Sequence, residues 1–211
     1  MKVFHCTNSR SLRVIWAAEE LGLDLDVHGL QFPPRVRDRE YLELVPTGVI
    51  PAFDDGEVHL LESMAICEYM AQRHAGGRLT VGPSDDAWPG YLQFLHMGEA
   101  TLVPPLTQIV RYRMLEPRER RLPQAADDGA DVFVDRLKPV AQRLERGDYL
   151  AGDSFTLADL SVGYALHLGD FLHLGDRFPQ PVRTYLARLR SRPAFERALA
   201  RNVVPKAAEA G

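Results

Sequence analysis

Residues 2–30, KVFHCTNSRSLRVIWAAEELGLDLDVHGL, decide the fold. Lys2 to Cys6 is a short apolar run of strand type, and the polar Thr7-Asn8-Ser9 after it has the composition of a helix start. Val14, Ala17, Ala18 and Leu21 then repeat at i, i+3, i+4 and i+7, while Leu12, Ile15 and Trp16 widen the apolar face. That spacing predicts a buried helix, stopped by Gly22. Asp24 to Leu30 resumes as a strand, so the stretch reads as a βαβ unit.

Downstream, Gln31 to Val45 is charged and irregular, with Pro33-Pro34 marking a loop. Ile50 to Phe53 and Glu57 to Leu61 are two short strands around Asp54-Asp55-Gly56, and Asp-Gly between apolar runs signals a hairpin. Glu62 to His74 is a helix with Ile66, Tyr69 and Met70 on one face, ended by Gly76-Gly77. The order βαβ, irregular turn, ββα suits a small mixed sheet with helices on its faces, over residues 1–77. Residues 78–86 read as a linker, and 87–211 as a separate, all-helical domain. Within it, Trp88 to Leu115 is a long helix kinked near Pro104-Pro105, and Asp127 to Arg146 is a second. Gly147 to Gly152 is a turn. Thr156 to Leu172, apolar nearly all round, belongs in a domain centre. Val182 to Arg190 and Pro193 to Ala200 are shorter helices, and the tail Lys206 to Gly211 is expected to fray.

A chain of 211 residues buries a sizeable core without disulfides or metals. Its formal charge of −4 gives no global basic field for nucleic acid, and the arginines between Arg111 and Arg121 read as a solvated helix end. Cys6 and Cys67, without a CxxC or a Cys/His cluster, argue against a zinc site or dithiol centre and fit a reducing compartment. No histidine spacing suggests a metal. No apolar run approaches the ~20 residues of a membrane span, and the start of the chain runs straight into a strand, so the expected address is the cytoplasm.

Four constellations carry local chemistry or structure. Ile50-Pro51, after Thr47-Gly48-Val49, places a proline at a strand start. A cis bond there would turn the Ile50 backbone outward for strand-like pairing with a peptide-like ligand; an ordinary strand-opening proline is the simpler alternative. Glu62-Ser63 precedes a helix whose first N–H groups attract a carboxylate, while Glu62 suits an ammonium; plain capping is the competing reading. Asn8-Ser9-Arg10-Ser11 puts hydroxyls at a helix start, where one could stabilise a thiolate; plain capping is again the competing reading, and Asn8 or Ser9 is expected to cap the helix. Phe155 to Leu160 combines Thr156 as N-cap, Asp159 at N3 and a hydrophobic staple, a structural device.

The stretches SRSLRVIWAAEELGL, GVIPAF, LLESMAICEYMAQR and FTLADL, in this order and spacing, resemble the glutathione S-transferase family over nearly the whole chain. The opening KVFHCTNSRS is most similar to its bacterial serine- or cysteine-type branches. The resemblance implies a thioredoxin-like N-terminal domain, a helical C-terminal domain and a cytoplasmic homodimer with one glutathione site per subunit. It implies that Val49, Ile50 and Pro51 meet the cysteinyl part of glutathione and that Glu62 and Ser63 hold its γ-glutamyl group. Ser9, Ser11, Asn8 and Arg10 are rivals for stabilising the thiolate: Asn8 aligns near the serine of some branches and Arg10 with the cysteine of another. Val49 stands where many relatives carry lysine.

Glutathione is then a co-substrate, no metal is implied, and the second substrate is a small apolar electrophile lying between the domains. Tyr91, His96, Tyr112 and Met114, with Met97, are candidate walls for it, though residues at such helical spacing also serve as core. A thiol with pKa ~8.5 is only ~3% ionised at neutral pH. Lowering that value to ~6.5 takes roughly 2.7 kcal/mol. One hydrogen bond to a charged group, about 1.5–3 kcal/mol, plus a helix N-terminus, about 0.3–1, supplies it. Conjugation is the leading expectation. Glutathione-dependent reduction, lysis, dehalogenation or isomerisation, or a non-catalytic interaction role for the same fold, are the alternatives.

Overall fold

The computed structural model describes residues 1–204, so the tail at Lys206–Gly211 lies outside the described residues. The chain folds as two units: Met1–Thr80 joined by the chain from Ser191 on, and Val81–Arg190. The last helix expected in the 87–211 domain therefore groups with the first unit.

The first unit is built on four strands, β1 (Lys2–His5), β2 (Asp26–Gly29), β3 (Ala52–Asp54) and β4 (His59–Leu61), in the order β2-β1-β3-β4. β1 runs parallel to β2 and antiparallel to β3, and β3 antiparallel to β4. The expected helix between β1 and β2 is α1 (Ser11–Leu21), ended by Gly22 at φ 66° in the left-handed region that glycine adopts freely. Side chains alternate along β1. Phe4 and Cys6 point to a cluster with Leu30, Tyr41, Val45, Ala52 and Ile50, while Val3 and His5 take the opposite face. The hairpin between β3 and β4 is tightened by Asp55, whose Oδ1 accepts from the N–H groups of Glu57 and Val58 at 3.0 and 2.9 Å.

The stretch expected to be irregular, Gln31 to Val45, holds two short helices, α2 (Pro34–Arg37) and α3 (Arg39–Leu44). Local chemistry explains them. Pro34 opens α2, where its missing N–H costs nothing, and the Asp38 carboxylate caps α3 by accepting from the Tyr41 N–H at 2.8 Å. These signals are too short to give a periodic pattern. α4 (Ser63–His74) follows β4 and packs on α1.

The chain returns to this unit through a late helix whose ion pairs and ring contact bind it to α1. Arg192 makes two bonds to the Glu20 carboxylate, at 2.6 and 2.8 Å, and Trp16 meets the ring of Phe195 edge-on at 4.7 Å. Arg197 and Arg201 each reach Glu19 at 2.7 Å. Partial burial works against the Glu19 carboxylate, but the two guanidinium groups hold its pKa below the ordinary value.

The second unit is helical: α5 (Trp88–Met97), α6 (Val103–Val110), α7 (Pro123–Asp135), α8 (Lys138–Leu144), α9 (Leu157–Phe171) and α10 (Gln180–Arg190); α11 (Pro193–Ala200) is the late helix of the first unit. The long helix expected over Trp88 to Leu115, kinked near Pro104-Pro105, carries at Gly98–Leu102 a stretch where the backbone widens to i→i+5 bonding. Pro104 and Pro105 have no N–H for the carbonyls four residues earlier. One of these, Thr101, is satisfied instead by the Arg136 guanidinium at 2.8 Å. The single helix expected over Asp127 to Arg146 is two, because Pro139 cannot bond back to Asp135, where α7 ends. The Arg111–Arg121 segment is partly compensated by acidic partners: Arg111 and Arg120 pair with Glu116 at 2.8 and 3.3 Å, and Arg113 with Asp127 at 2.7 Å. No helix among the described residues is long and apolar enough to cross a membrane.

α9 is buried from Leu157 through Leu166, as its sequence predicts. Its start is a capping box of Thr156 and Asp159. The fully buried Asp159 carboxylate accepts from Leu150 N–H at 2.8 Å, Tyr185 O–H at 2.7 Å, and Thr156 N–H and O–H at 2.9 and 3.0 Å. Burial raises its pKa, opposed by these four donors. Asp159→Ala leaves them without an acceptor and is expected to cost about 3 kcal/mol in urea unfolding, against about 1 kcal/mol for Thr156→Ala. In the first unit the stability supplied by the depressed Glu19 pKa is complete above the unfolded value of ~4.3 and is lost as pH falls through the folded one. A stability gap between the natural protein and Glu19→Gln is therefore expected at neutral pH, closing on acidification.

Candidate functional site

Strand direction gathers the sequence-predicted segments. The chain leaves β1 after His5. Because β3 runs antiparallel, its first residue, Ala52, lies against Phe4 near that same end. Because β4 reverses again, its last residue, Leu61, lies against Ala52. The loop Cys6 to Arg10, the Ile50-Pro51 entry to β3 and the Glu62-Ser63 entry to α4 thus leave the sheet at one end.

In the first of these, a row of hydrogen bonds runs inward. Ser9 Oγ lies 2.6 Å from Ser11 Oγ, Ser11 Oγ lies 2.7 Å from His5 Nδ1, and His5 Nε2 lies 3.1 Å from the Asn202 main-chain carbonyl. His5 and Ser11 are fully buried, and Ser9 is half-buried at the outer end. Burial lowers the His5 pKa, opposed by the Asn202 carbonyl, so the ring is neutral at physiological pH.

Asn8 sits at φ 57°, a left-handed conformation that Asn tolerates. Its N–H donates to Asn202 Oδ1 at 3.1 Å, and Asn202 Nδ2 donates back to Asn8 Oδ1 at 2.8 Å. Thr7 Oγ1 accepts from the Val204 N–H at 2.9 Å. The loop is therefore pinned by residues 202–204. Neither Asn8 nor Ser9 caps α1 with its side chain, contrary to expectation. Arg10, half-buried and already in helical conformation, is the cap residue, and the Ser9 and Arg10 carbonyls take the N–H groups of Leu12 and Arg13 at 3.0 and 3.1 Å.

The Ile50–Pro51 peptide bond is cis. The Val49 carbonyl is taken by the Tyr41 hydroxyl at 2.5 Å, and the Ile50 side chain packs on the apolar cluster. Among the described residues, neither the N–H nor the C=O of Ile50 is bonded by another backbone group. At α4, Ser63 is the first helical residue and exposed Glu62 the residue before it, at φ 68° and ψ 107°. A non-glycine residue held there costs of order 1–3 kcal/mol, a pattern that clusters at ligand sites. Ser63 Oγ does not cap the helix; it accepts from Arg13 Nη1 at 3.1 Å, which leaves its own hydrogen to donate.

Arg13, His5 and Asn202 were not among the residues singled out from sequence. The available signal for the first two was a polar residue inside an apolar run, and for Asn202 there was none. The proposed wall residues lie in the helical unit in unlike settings. Tyr91 is core at 2% exposure, His96 is on the surface, Met114 is 52% exposed, and Tyr112 lies under the Arg111 guanidinium, 5.2 Å from its ring centroid. Cys6 and Cys67 are both buried, and burial pushes each thiol up to about 12. They are packing residues.

The family model described as "Glutathione S-transferase, N-terminal domain" matches residues 1–72. A maize protein, "Glutathione S-transferase 4", is 33% identical over 74% of this chain and 70% of its own length. The chain belongs to the glutathione S-transferase family. A rice relative, "Probable glutathione S-transferase GSTF1", is 29% identical over 99% of both chains. The solved structure of a theta class glutathione S-transferase from Xanthomonas axonopodis pv. citri with glutathione bound has a TM-score of 0.77 and 22% identity over 94% of this chain and 96% of that one. The fold expected from the family resemblance, a thioredoxin-like domain with a four-stranded mixed sheet and a helical domain, is the fold observed.

A glutathione S-transferase whose two cysteines are buried packing residues has no protein thiol to offer a reagent. An aromatic disulfide reagent at neutral pH should leave Cys6 and Cys67 unmodified in the folded protein and titrate both after denaturation. Rapid modification of Cys6 in the folded state would contradict this placement.

Proposed function

We propose that this chain is a glutathione transferase: it binds glutathione at the end of the sheet where β1 leaves, ionises its thiol and directs it onto a small apolar electrophile. The observation that carries the reading is the Ile50 main chain, whose N–H and C=O lack backbone partners in a position next to a strand. Backbone groups left unpaired in this way pair with an extended peptide-like ligand in strand fashion. The cysteinyl part of glutathione meets that requirement.

The remaining assignments follow from charge. The γ-glutamyl end carries a carboxylate and an ammonium. The carboxylate suits the first N–H groups of α4 and the Ser63 hydroxyl, which Arg13 holds from behind. The ammonium suits the exposed Glu62 carboxylate. Of the four loop rivals, Asn8 is committed to Asn202, Ser11 is buried and Arg10 is already in helical conformation at the start of α1, whereas the half-buried Ser9 hydroxyl ends the row of hydrogen bonds. Ser9 is therefore assigned to the sulfur. Ionising the thiol is worth at most about 30-fold, from ~3% thiolate to full, and holding the electrophile near the sulfur supplies the rest. A homodimer in the cytoplasm belongs to this reading, with glutathione and the electrophile as its small-molecule partners.

Thiol loss with an aryl halide and with a panel of other electrophiles tests it; no turnover above background on any of them would sink the proposal. Ser63→Ala should raise the KM for glutathione roughly tenfold with a smaller effect on kcat, as expected for losing one hydrogen bond to a charged group. Ser9→Ala should instead lower kcat, by no more than about 30-fold.

A further inference from the structure

The hydrogen-bonded row behind Ser9 ends on a base, and its polarity is fixed from the inside. The Asn202 carbonyl only accepts, so His5 Nε2 carries the ring hydrogen. In the neutral ring Nδ1 is then an acceptor, and Ser11 spends its one hydroxyl hydrogen on it. The Ser9–Ser11 contact at 2.6 Å needs a hydrogen that Ser11 no longer has, so Ser9 supplies it. The Ser9 hydroxyl thus turns its hydrogen inward and shows only lone pairs to an approaching sulfur. In that state it accepts from a thiol S–H and has nothing to donate to a thiolate.

We propose that His5, acting through Ser11 and Ser9, receives the thiol proton when glutathione binds, an inference that rests on glutathione occupying the site proposed above. The S–H bond breaks as the Ser9 oxygen takes its proton, and the bonding pair stays on sulfur. The former Ser9 hydrogen passes to Ser11 oxygen, and the former Ser11 hydrogen passes to His5 Nδ1, where a new N–H bond forms. The complex keeps every proton. The row is now reversed: the imidazolium donates to Ser11, Ser11 to Ser9, and Ser9 to the thiolate. The same two hydroxyls that offer nothing to a thiolate beside a neutral His5 stabilise it beside a charged one. The Nε2–H bond to Asn202 is unchanged throughout, so the segment after α11 is the fixed end of the relay. Neither ring nitrogen is hydrogen-bonded to a charged side chain, which leaves the thiolate as the relay's own counter-charge. His5 and Ser11 act through Ser9 and are positioning residues.

Nitrogen NMR of protein labelled at histidine reads the His5 ring directly. The expected result is a neutral ring in the free protein and with S-methylglutathione, which has no thiol proton, and an imidazolium with glutathione. In parallel, the ultraviolet band of the thiolate should appear while calorimetry in buffers of different ionisation heat shows little proton released to solvent. A ring that stays neutral while the thiolate forms and a full proton enters the buffer would overturn the relay, as would binding with no thiolate at all. No calorimetric binding of glutathione would overturn the relay and the proposed function together, so the two failures are distinguishable. His5→Asn offers an amide oxygen to Ser11 but takes no proton. It should lower kcat/KM about tenfold, within the roughly 30-fold ceiling on thiol ionisation, and release the thiol proton to buffer. A folded His5→Asn protein with the natural rate would refute the proposal, and the NMR result decides the matter if that variant does not fold.

Discussion

A neutral imidazole buried in β1 holds the site together. His5 is fully buried, and both its ring nitrogens are satisfied, one by the Asn202 main chain and one by Ser11 at the start of α1. An unpartnered polar group in that position would cost several kcal/mol, so the strand, the helix start and the late segment constrain one another. Asn202 extends the same constraint to Asn8 through a reciprocal amide pair, and Val204 extends it to Thr7. The Thr7–Ser9 loop is tied from behind through its backbone and side chains, which leaves Ser9 as the hydroxyl at the outer end.

The other half of the site depends on sheet direction. Two reversals, β1 to β3 and β3 to β4, bring the candidate segments to one end of the sheet. A buried guanidinium joins two of the helix starts there, since Arg13 in the first turn of α1 bonds Ser63 at the first position of α4. The strained Glu62 backbone turns the chain between β4 and that helix. In the proposed reading, the main chain of Ile50, the helix start at Ser63 and the hydroxyl of Ser9 offer three different chemistries to one extended ligand. A γ-glutamyl tripeptide carries the matching set.

Elements whose signal is periodic, or is a recognisable turn or capping motif, were legible in the sequence. The i, i+3, i+4, i+7 pattern of α1, the Asp-Gly hairpin and the Thr156–Asp159 capping box each specify a local structure, and each is present. The misread stretches are those where short polar interactions override periodicity. α2 and α3 are set by one proline and one aspartate cap, and the helix expected across Pro139 divides where a backbone donor is missing, whereas the disturbance near Pro104-Pro105 was legible from the prolines themselves. Around the candidate site, the proline entry to β3 at Ile50-Pro51 and the helix start at Glu62-Ser63 could be read from sequence because their backbone chemistry is local. The His5–Asn202 bond spans nearly the whole chain, and no window of sequence contains both partners. The burial of Arg13 and the positive φ of Glu62 likewise depend on tertiary packing and have no one-dimensional signature.

The membership of α11 in the first unit has a consequence for biosynthesis. The sheet and its first helices leave the ribosome early, but the arginines that pair with Glu19 and Glu20, the Phe195 ring that meets Trp16 and the carbonyl that His5 requires are made only after Val81–Arg190. The intervening Val81–Arg190 takes roughly 5–20 s to translate at ~5–20 residues per second. Through that interval the nascent first unit exposes one side of α1 and has a histidine lacking its main-chain partner. Completion of this unit therefore waits until the whole of Val81–Arg190 has been made, and a ribosome-bound chain stopped short of Ser191 is a natural client for chaperones that shield apolar surface.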